Sequence, residues 1–305
     1  MPDHASDDVP ASDAGGVGDA VAADLGWPRS IDLLGSGGDH DAWLVDADGD
    51  EWVVRVPRRP STDGDPSGAL VHELTEHIRR SVGADVSAWV PEHRLVGSAG
   101  WVAHRHVEGR SLQDLVADPF ATVDDLSALG RQLGRFIVAI EDVRAPPGVP
   151  VDDVDPVEWL DEVDSLAEGL APVLGAERRD RVRRFAAEPF RAPSRDELAV
   201  CHNDLGAEHV IIDPTTGRIA GVIDWSDTAV SDPAGDVGRI LRDLGDDAMA
   251  ATLATMPEPQ RPDRARRARW YARCLIVEDL DFAARARPDL LAHALDAFDR
   301  LYPST

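Results

Sequence analysis

The sequence predicts an α+β fold in which a small N-terminal region built on an antiparallel sheet precedes a larger, mostly helical C-terminal region. Three observations predict it. Residues 33–57 and 94–106 form short apolar runs broken by Gly-rich and Asp-Gly turns, the pattern of paired strands. From Ser111 onward apolar residues recur at helical spacing. Within that helical half, residues 200–224 depart from the pattern with two short apolar runs around a Pro-Thr-Thr-Gly turn, which reads as a β-hairpin.

A chain of 305 residues that is 43% hydrophobic is long enough for two modest domains, each with a core. It has no apolar run of membrane-spanning length and no charged-then-apolar leader at its start, so a cytoplasmic protein is expected. The net charge of −26 argues against nucleic acid and anionic membranes, which need basic surfaces, and fits a cationic or neutral small substrate. All 31 basic residues are arginine, with no lysine, a bias that fits either GC-rich codon usage or adaptation to high salt. The two cysteines, Cys201 and Cys274, are too few for a disulfide framework. Cys201 stands beside His202 as a thiol nucleophile would, but an apolar strand position explains it better.

Taken in order, residues 1–18 are rich in Asp, Ala, Ser and Gly and predict a disordered tail. A short helix over Asp19–Leu25 should end at Gly-Trp-Pro. A strand, a glycine loop at Gly35, Ser36, Gly37 and Gly38, a second strand, a turn at Ala47–Asp50 and a third strand follow. Glycines there let backbone N–H groups approach phosphate oxygens, although an ordinary hairpin turn would read the same way. Arg55, set between Val54 and Val56, needs an anion if it faces inward, and faces solvent if its strand is an edge. A loop over 60–70 leads to a helix over Ala69–Ser81, and strands are expected at Arg94–Ser98 and Trp101–His106. These elements set the boundaries of an N-terminal lobe over 19–106 and a C-terminal lobe over 107–305. Helices are expected over Leu112–Val116, Val123–Ile140, Pro156–Leu170, Pro262–Arg287 and Pro288–Leu301, with the charge run at 176–190 as a solvated helix face. Asp232 is expected to cap the helix that begins at Val237, and Asp236 to accept hydrogen bonds from the loop before the hairpin.

The hairpin carries the chemistry. The runs Val210–Ile212 and Ile219–Ile223 are its arms; His202 and Asp204 enter one end, His209 precedes the first arm and Asp224 ends the second. Arms this short bring the polar groups together. Two carboxylates and an imidazole form a site for a hard cation with a spare carboxylate able to accept a proton. The other histidines are scattered and read as surface or core residues.

The phrases His-Asn-Asp-Leu-Gly-Ala-Glu-His at 202–209 and Ile-Asp-Trp-Ser-Asp at 223–227 resemble the catalytic loop and metal-binding segment of the antibiotic phosphotransferases, relatives of the protein kinases. The resemblance covers residues 19 to 300 and implies a bilobal protein-kinase-like fold. It implies Asp204 as the base that takes the hydroxyl proton, His209 and Asp224 as ligands of Mg2+, and His202, Asp232 and Asp236 as structural support. His209 stands where the protein kinases carry Asn, as it does in macrolide and aminoglycoside 2''-phosphotransferases. Arg55 falls at the strand position of the kinase lysine, with Glu73 as its helix partner and Glu76 as the rival; its Arg-rich strand resembles that of the macrolide enzymes. His104–Gly109 resembles the hinge that meets the nucleotide base, which places His104 and His106 beside the nucleotide. The implied reaction moves the γ-phosphoryl group of GTP or ATP to a hydroxyl of an antibiotic, conferring resistance. A macrolide 2'-hydroxyl is the first expectation; an aminoglycoside, or a metabolite of a small-molecule kinase, is the alternative. Asp227, Glu278, Asp279 and Asp281 are expected to face a cationic substrate, and the chain is expected to act as a monomer.

Overall fold

The structure is a computed structural model that describes residues 14–36, 40–58, 68–97, 100–118, 125–152 and 155–304. The chain forms two compact units: one runs to Ser81 and resumes over Val90–Glu108, and the other comprises Val82–Trp89 and the chain from Gly109 onward. The passage into the second unit therefore falls after Glu108, not at the expected boundary of 106. Residues 82–89 join it because Val86 is buried and the Trp89 carbonyl accepts the Val222 N–H at 2.7 Å.

The first unit contains α1 (Ala14–Leu25), β1 (Pro28–Ser36), β2 (His40–Ala47), β3 (Asp50–Pro57), α2 (Gly68–Ser81), β4 (His93–Val96) and β5 (Trp101–Arg105). Its strands form one antiparallel sheet in the order β1-β2-β3-β5-β4. Asp48 and Gly49, at φ 53° and 88°, make the two-residue turn between β2 and β3, whose left-handed backbone matches the twist of the strands. Alternation sends Trp43 and Val45 of β2 and Trp52, Val54 and Val56 of β3 to one face, where α1 covers them with Val17, Val21 and Leu25. The helix thus begins at Ala14, and the expected tail cannot reach residue 18. Gly15, Gly16 and Gly18 weaken the helical signal, yet the complete burial of Val17 outweighs it.

The second unit opens with α3 (Ala84–Ser87), β6 (Arg110–Ser111), α4 (Leu112–Ala117), α5 (Leu126–Glu141), α6 (Pro156–Gly169) and α7 (Ala171–Ala186). It continues with β7 (Ala199–Cys201), β8 (Val210–Asp213), β9 (Arg218–Val222), β10 (Ala229–Ser231), α8 (Ala234–Leu244), α9 (Asp246–Leu253), α10 (Arg261–Ala286) and α11 (Leu291–Leu301). Ser111, Asp125 and Asp155 accept backbone N–H groups at the starts of α4, α5 and α6. Small antiparallel sheets, β6-β8-β9 and β7-β10, are set among the helices. Phe136 of α5 meets Trp225 edge-on at 5.8 Å inside the core, and Gly238 lets α8 cross α10 closely, since a Cβ there would lie 2.8 Å from the Ala268 carbonyl. The charge run on α7 is not simply a solvated face. Arg178 and Arg181 both bind Asp299 of α11, at 2.6 and 3.0 Å, and Val182 and Phe185 are buried between them and the core. Among the described residues no helix is long and apolar enough to cross a membrane.

The contact of α5 with α9 is equally close. A Cβ on Gly130 would lie 2.3 Å from the Ala248 carbonyl oxygen, so Gly130→Ala must push the two helices apart. The expected loss is about 1–3 kcal/mol of unfolding free energy. Urea denaturation with an unchanged midpoint would contradict this packing.

Candidate active site

The site grows from the pairing of β8 with β9. Val210 lies opposite Val222 and Asp213 opposite Arg218. Asp213 closes the turn by accepting the Thr215 N–H at 2.7 Å, and Gly217 leaves it at φ 63°. At the open end the Ile223 N–H donates to the His209 carbonyl at 2.9 Å, so His209 and the residue after Ile223 are brought side by side. That residue is Asp224, which turns out of the strand with φ 60°. Asn203, at φ 66°, has the same left-handed backbone. Such conformations cost about 1–3 kcal/mol for most non-glycine residues, less for Asn and Asp, and persist where the surroundings enforce them.

Three expected residues meet here. His209 Nε2 lies 3.6 Å from Asp224 Oδ2, and His209 Nδ1 lies 2.9 Å from the Asp204 carbonyl oxygen and 3.3 Å from Asp204 Oδ2. The Nδ1 proton is thereby committed to Asp204, which leaves the Nε2 lone pair of the neutral ring toward Asp224. Burial disfavours the imidazolium, but the carboxylates of Asp204, Asp224 and Glu208 outweigh it and hold the His209 pKa above its ordinary value. Asp204, Glu208 and His209 also offer ligand atoms within 4.8 Å of one another.

The surrounding groups fix this cluster. Asp236, buried at the start of α8, accepts the backbone N–H groups of His202 and Asn203 at 3.0 Å each. The Asn203 side chain donates to Asp152 at 2.9 Å. His202 is fully buried, donates from Nε2 to the Ile223 carbonyl at 3.1 Å and lies 4.8 Å from the Trp225 ring. Burial and the neighbouring His209 lower its pKa to about 4, which favours the neutral ring. Asp232 caps the start of α8 across Pro233, and the helix begins at Ala234, not at the expected Val237. Its carboxylate accepts the Ala234 N–H at 3.0 Å and pairs with Arg267 through bonds of 2.6 and 3.1 Å.

Other expected site residues lie differently. Glu278 accepts the indole N–H of Trp159, Asp279 pairs with Arg242 at 3.3 Å, and Asp281 with Arg285 at 2.6 Å; Asp227 is exposed. In the first unit Arg55 is half-buried on β3, on the sheet face turned away from α1. Glu73 is exposed on α2, and no ion pair joins it to Arg55 among the described residues. The inward face of α2 is Val71, Leu74, Thr75 and Ile78, so the phase of the helix carries Glu73 outward; Glu76 is taken by Arg79 at 2.8 Å. Gly35 and Ser36 end β1 in exposed positions, and Gly37 and Gly38 lie outside the described residues. His104 is buried with Nδ1 on the Arg105 carbonyl at 2.9 Å, and His106 Nδ1 meets Glu51 at 2.9 Å. Cys201 is 1% exposed and burial raises its pKa well above the ordinary thiol value, so it cannot serve as a nucleophile; Cys274 is buried too.

Several residues of the site escaped the sequence reading: Asp152, Glu208, Arg239, Arg242 and Asp243. Arg239 Nε donates to Asp204 Oδ1 at 3.2 Å. Its place three residues after Asp236, on the same face of a helix, was the available signal.

Burial raises the Asp236 pKa from 3.8 to about 6, with Arg239 and the two N–H bonds pulling it back. A carboxyl raised in this way contributes its stability in full below pH 3.8 and loses it as the pH climbs through about 6. His202, held neutral, tilts stability the other way over the same range, so the mark of Asp236 is the difference between proteins: relative to Asp236→Asn, the wild type should lose urea stability between about pH 4 and pH 7. Parallel slopes would contradict the assignment.

The profile of the phosphotransferase enzyme family matches residues 30–270. Viomycin phosphotransferase from Streptomyces vinaceus is 26% identical over 192 residues, which cover 58% of this chain and 64% of that protein, less than two thirds of its length. The GDP complex of aminoglycoside 2'-phosphotransferase-IIIa shares the fold with a TM-score of 0.62 at 24% identity, over 90% of this chain and 93% of its own. A macrolide 2'-phosphotransferase from Brachybacterium faecium does so with a TM-score of 0.59 at 20% identity, over 93% and 96%. The profile spans both the sheet of the first unit and the hairpin that gathers Asp204, His209 and Asp224, and on that match the chain belongs to the phosphotransferase enzyme family.

Proposed function

We propose that the protein transfers the γ-phosphoryl group of a nucleoside triphosphate to a hydroxyl of a small-molecule antibiotic. The observation that carries this reading is the gathering of Asp204, His209 and Asp224 at the open end of one hairpin. Phosphoryl transfer asks mainly for positioning and charge neutralisation, which such a cluster supplies. Asp204, reachable from solvent at 28% side-chain exposure, orients the acceptor hydroxyl and takes its proton.

His209 and Asp224 would hold magnesium. A magnesium ion bonds its ligands at about 2.0–2.1 Å, so ligand atoms 3.6 Å apart are within reach of one ion. The imidazole is softer than magnesium prefers, and the carboxylate and phosphate oxygens would complete the hard donor set. The bound ion supplies neutralisation of phosphate charge; the chain's own residues orient the hydroxyl and receive the proton. In the first unit Arg55 is a cation suited to nucleotide phosphates, without Glu73 as its anchor. ATP and GTP are both donors to be tested.

A macrolide 2'-hydroxyl is the acceptor we favour. A cavity of about 640 Å³ in the second unit has Val151, Pro156, Leu198, Val230 and Tyr271 in its apolar wall and Asp152, Asp155, Asp232 and one cation, Arg195, as its charged groups. An apolar wall with carboxylates suits a large lactone bearing an ammonium group, and Asp152 is bonded to Asn203 beside Asp204. The acids of α10 expected to bind a polycation are engaged by Trp159, Arg242 and Arg285. An aminoglycoside is the second reading, supported by the net charge of −26.

Incubation with magnesium, ATP or GTP and a panel of erythromycin-like and kanamycin-like acceptors, read by mass spectrometry, should give a monophosphorylated macrolide. Product from aminoglycosides alone would move the assignment to the second reading, and product from neither would overturn the antibiotic reading. Asp204→Ala should lower turnover about 100-fold or more while nucleotide binding persists. His209→Asn, which keeps an oxygen ligand, should retain far more activity than His209→Ala. Equal activity of those two variants would remove His209 from the metal site.

A further inference from the structure

Helix α8 sends two arginines toward the loop that carries Asp204. Arg242 is buried and pairs with Asp243 at 2.6 Å, with Asp279 at 3.3 Å and with Glu208 at 3.8 Å. Asp243 in turn accepts the Ala207 N–H at 2.8 Å. These contacts tie the C-terminal half of α8 both to the residues just before His209 and to α10. At the N-terminal end of the same helix, Asp236 holds the N–H groups of His202 and Asn203. The helix is therefore a rigid origin on both sides of Arg239.

Arg239 uses that origin differently. Its Nε donates to Asp204 Oδ1 at 3.2 Å from a side chain only 15% exposed, while Asp204 Oδ2 lies 3.3 Å from His209 Nδ1. Among the described residues no other group is bonded to Oδ1, so without the arginine the carboxylate could turn further toward the imidazole. A guanidinium keeps its charge at any working pH and its planar N–H groups prescribe a direction, so it fixes the rotation of the carboxylate as well as its position. Each carboxylate oxygen retains a second lone pair, which leaves Asp204 able to accept a proton while it is held.

We propose that Arg239 is a positioning residue for phosphoryl transfer: it fixes the Asp204 carboxylate in the orientation that receives the acceptor hydroxyl. This rests on the reading of Asp204 as the base. A displacement of about 1 Å in a reacting group costs on the order of 100-fold in rate, which sets the size of the effect. The role is not one of substrate contact, so its mark is a fall in kcat that depends on Asp204 being present.

The test compares the full-length wild type with Arg239→Gln, Arg239→Lys, Asp204→Asn and the double variant, using the acceptor and donor found by the panel above. Arg239→Gln is expected to lower kcat by about 10- to 100-fold, with the nucleotide dissociation constant unchanged within about twofold. Arg239→Lys is expected to recover part of that loss. In the Asp204→Asn background, Arg239→Gln should change the residual turnover by less than about twofold, because a residue acting through Asp204 has nothing left to position. An unchanged kcat, or the same fold loss in both backgrounds, would overturn the proposal. If the wild type transfers no phosphoryl group, the reading of Asp204 as base fails by itself. Crystal structures of wild type and Arg239→Gln then decide the positioning claim: an Asp204 side chain rotated by more than about 30° supports it and an unmoved one ends it.

Discussion

The placement of the candidate active site depends on the bond between a buried carboxylate and two consecutive backbone amides. Asp236 takes the N–H groups of His202 and Asn203, and it does so from the first turn of α8, a helix held against α10 by the close crossing at Gly238. The position of the loop is thus inherited from helix packing. That matters because Asn203 and Asp224 both sit at positive φ, Asn203 next to His202 in the chain and Asp224 next to Ile223, whose carbonyl the His202 ring bonds. Without the anchors, each would be free to relax into the common backbone regions and carry its neighbours away from one another.

The hairpin contributes the other half of the geometry. Antiparallel pairing puts residues distant in sequence at the same level, so His209 and Asp224 become neighbours although a turn and two strands separate them. The imidazole then lies between two carboxylates, whose charge holds its pKa above the ordinary value against the opposing effect of burial. A magnesium ion held there, as proposed, would compete with a proton on His209, so its binding would displace protons.

Much of this was legible in the sequence because it is local. The apolar arms at 210–212 and 219–223, the turn between them and the polar residues at their ends specify a hairpin without reference to the remainder of the chain. The small sheet was legible for the same reason, through its Asp-Gly turn and short strands. What escaped the reading depends on rotational phase or on distant packing. Glu73 could be placed on α2 but not on a face of it, and α2 turns it outward. Arg239 and Arg242 meet the loop only because α8 presents one side to it. The start of α1 was hidden by glycines that tertiary burial of Val17 overrides, and the charge run on α7 concealed two arginines bound to α11.

The two thiols have a use that their inertness creates. Cys201 on β7 and Cys274 on α10 are 1% and 0% exposed, both belong to the second unit, and the first unit has none. An alkylating reagent can reach them only when strand or helix leaves the core, while loosening of the first sheet passes unseen. The rate of labelling therefore clocks the opening of the second unit by itself, without an introduced probe.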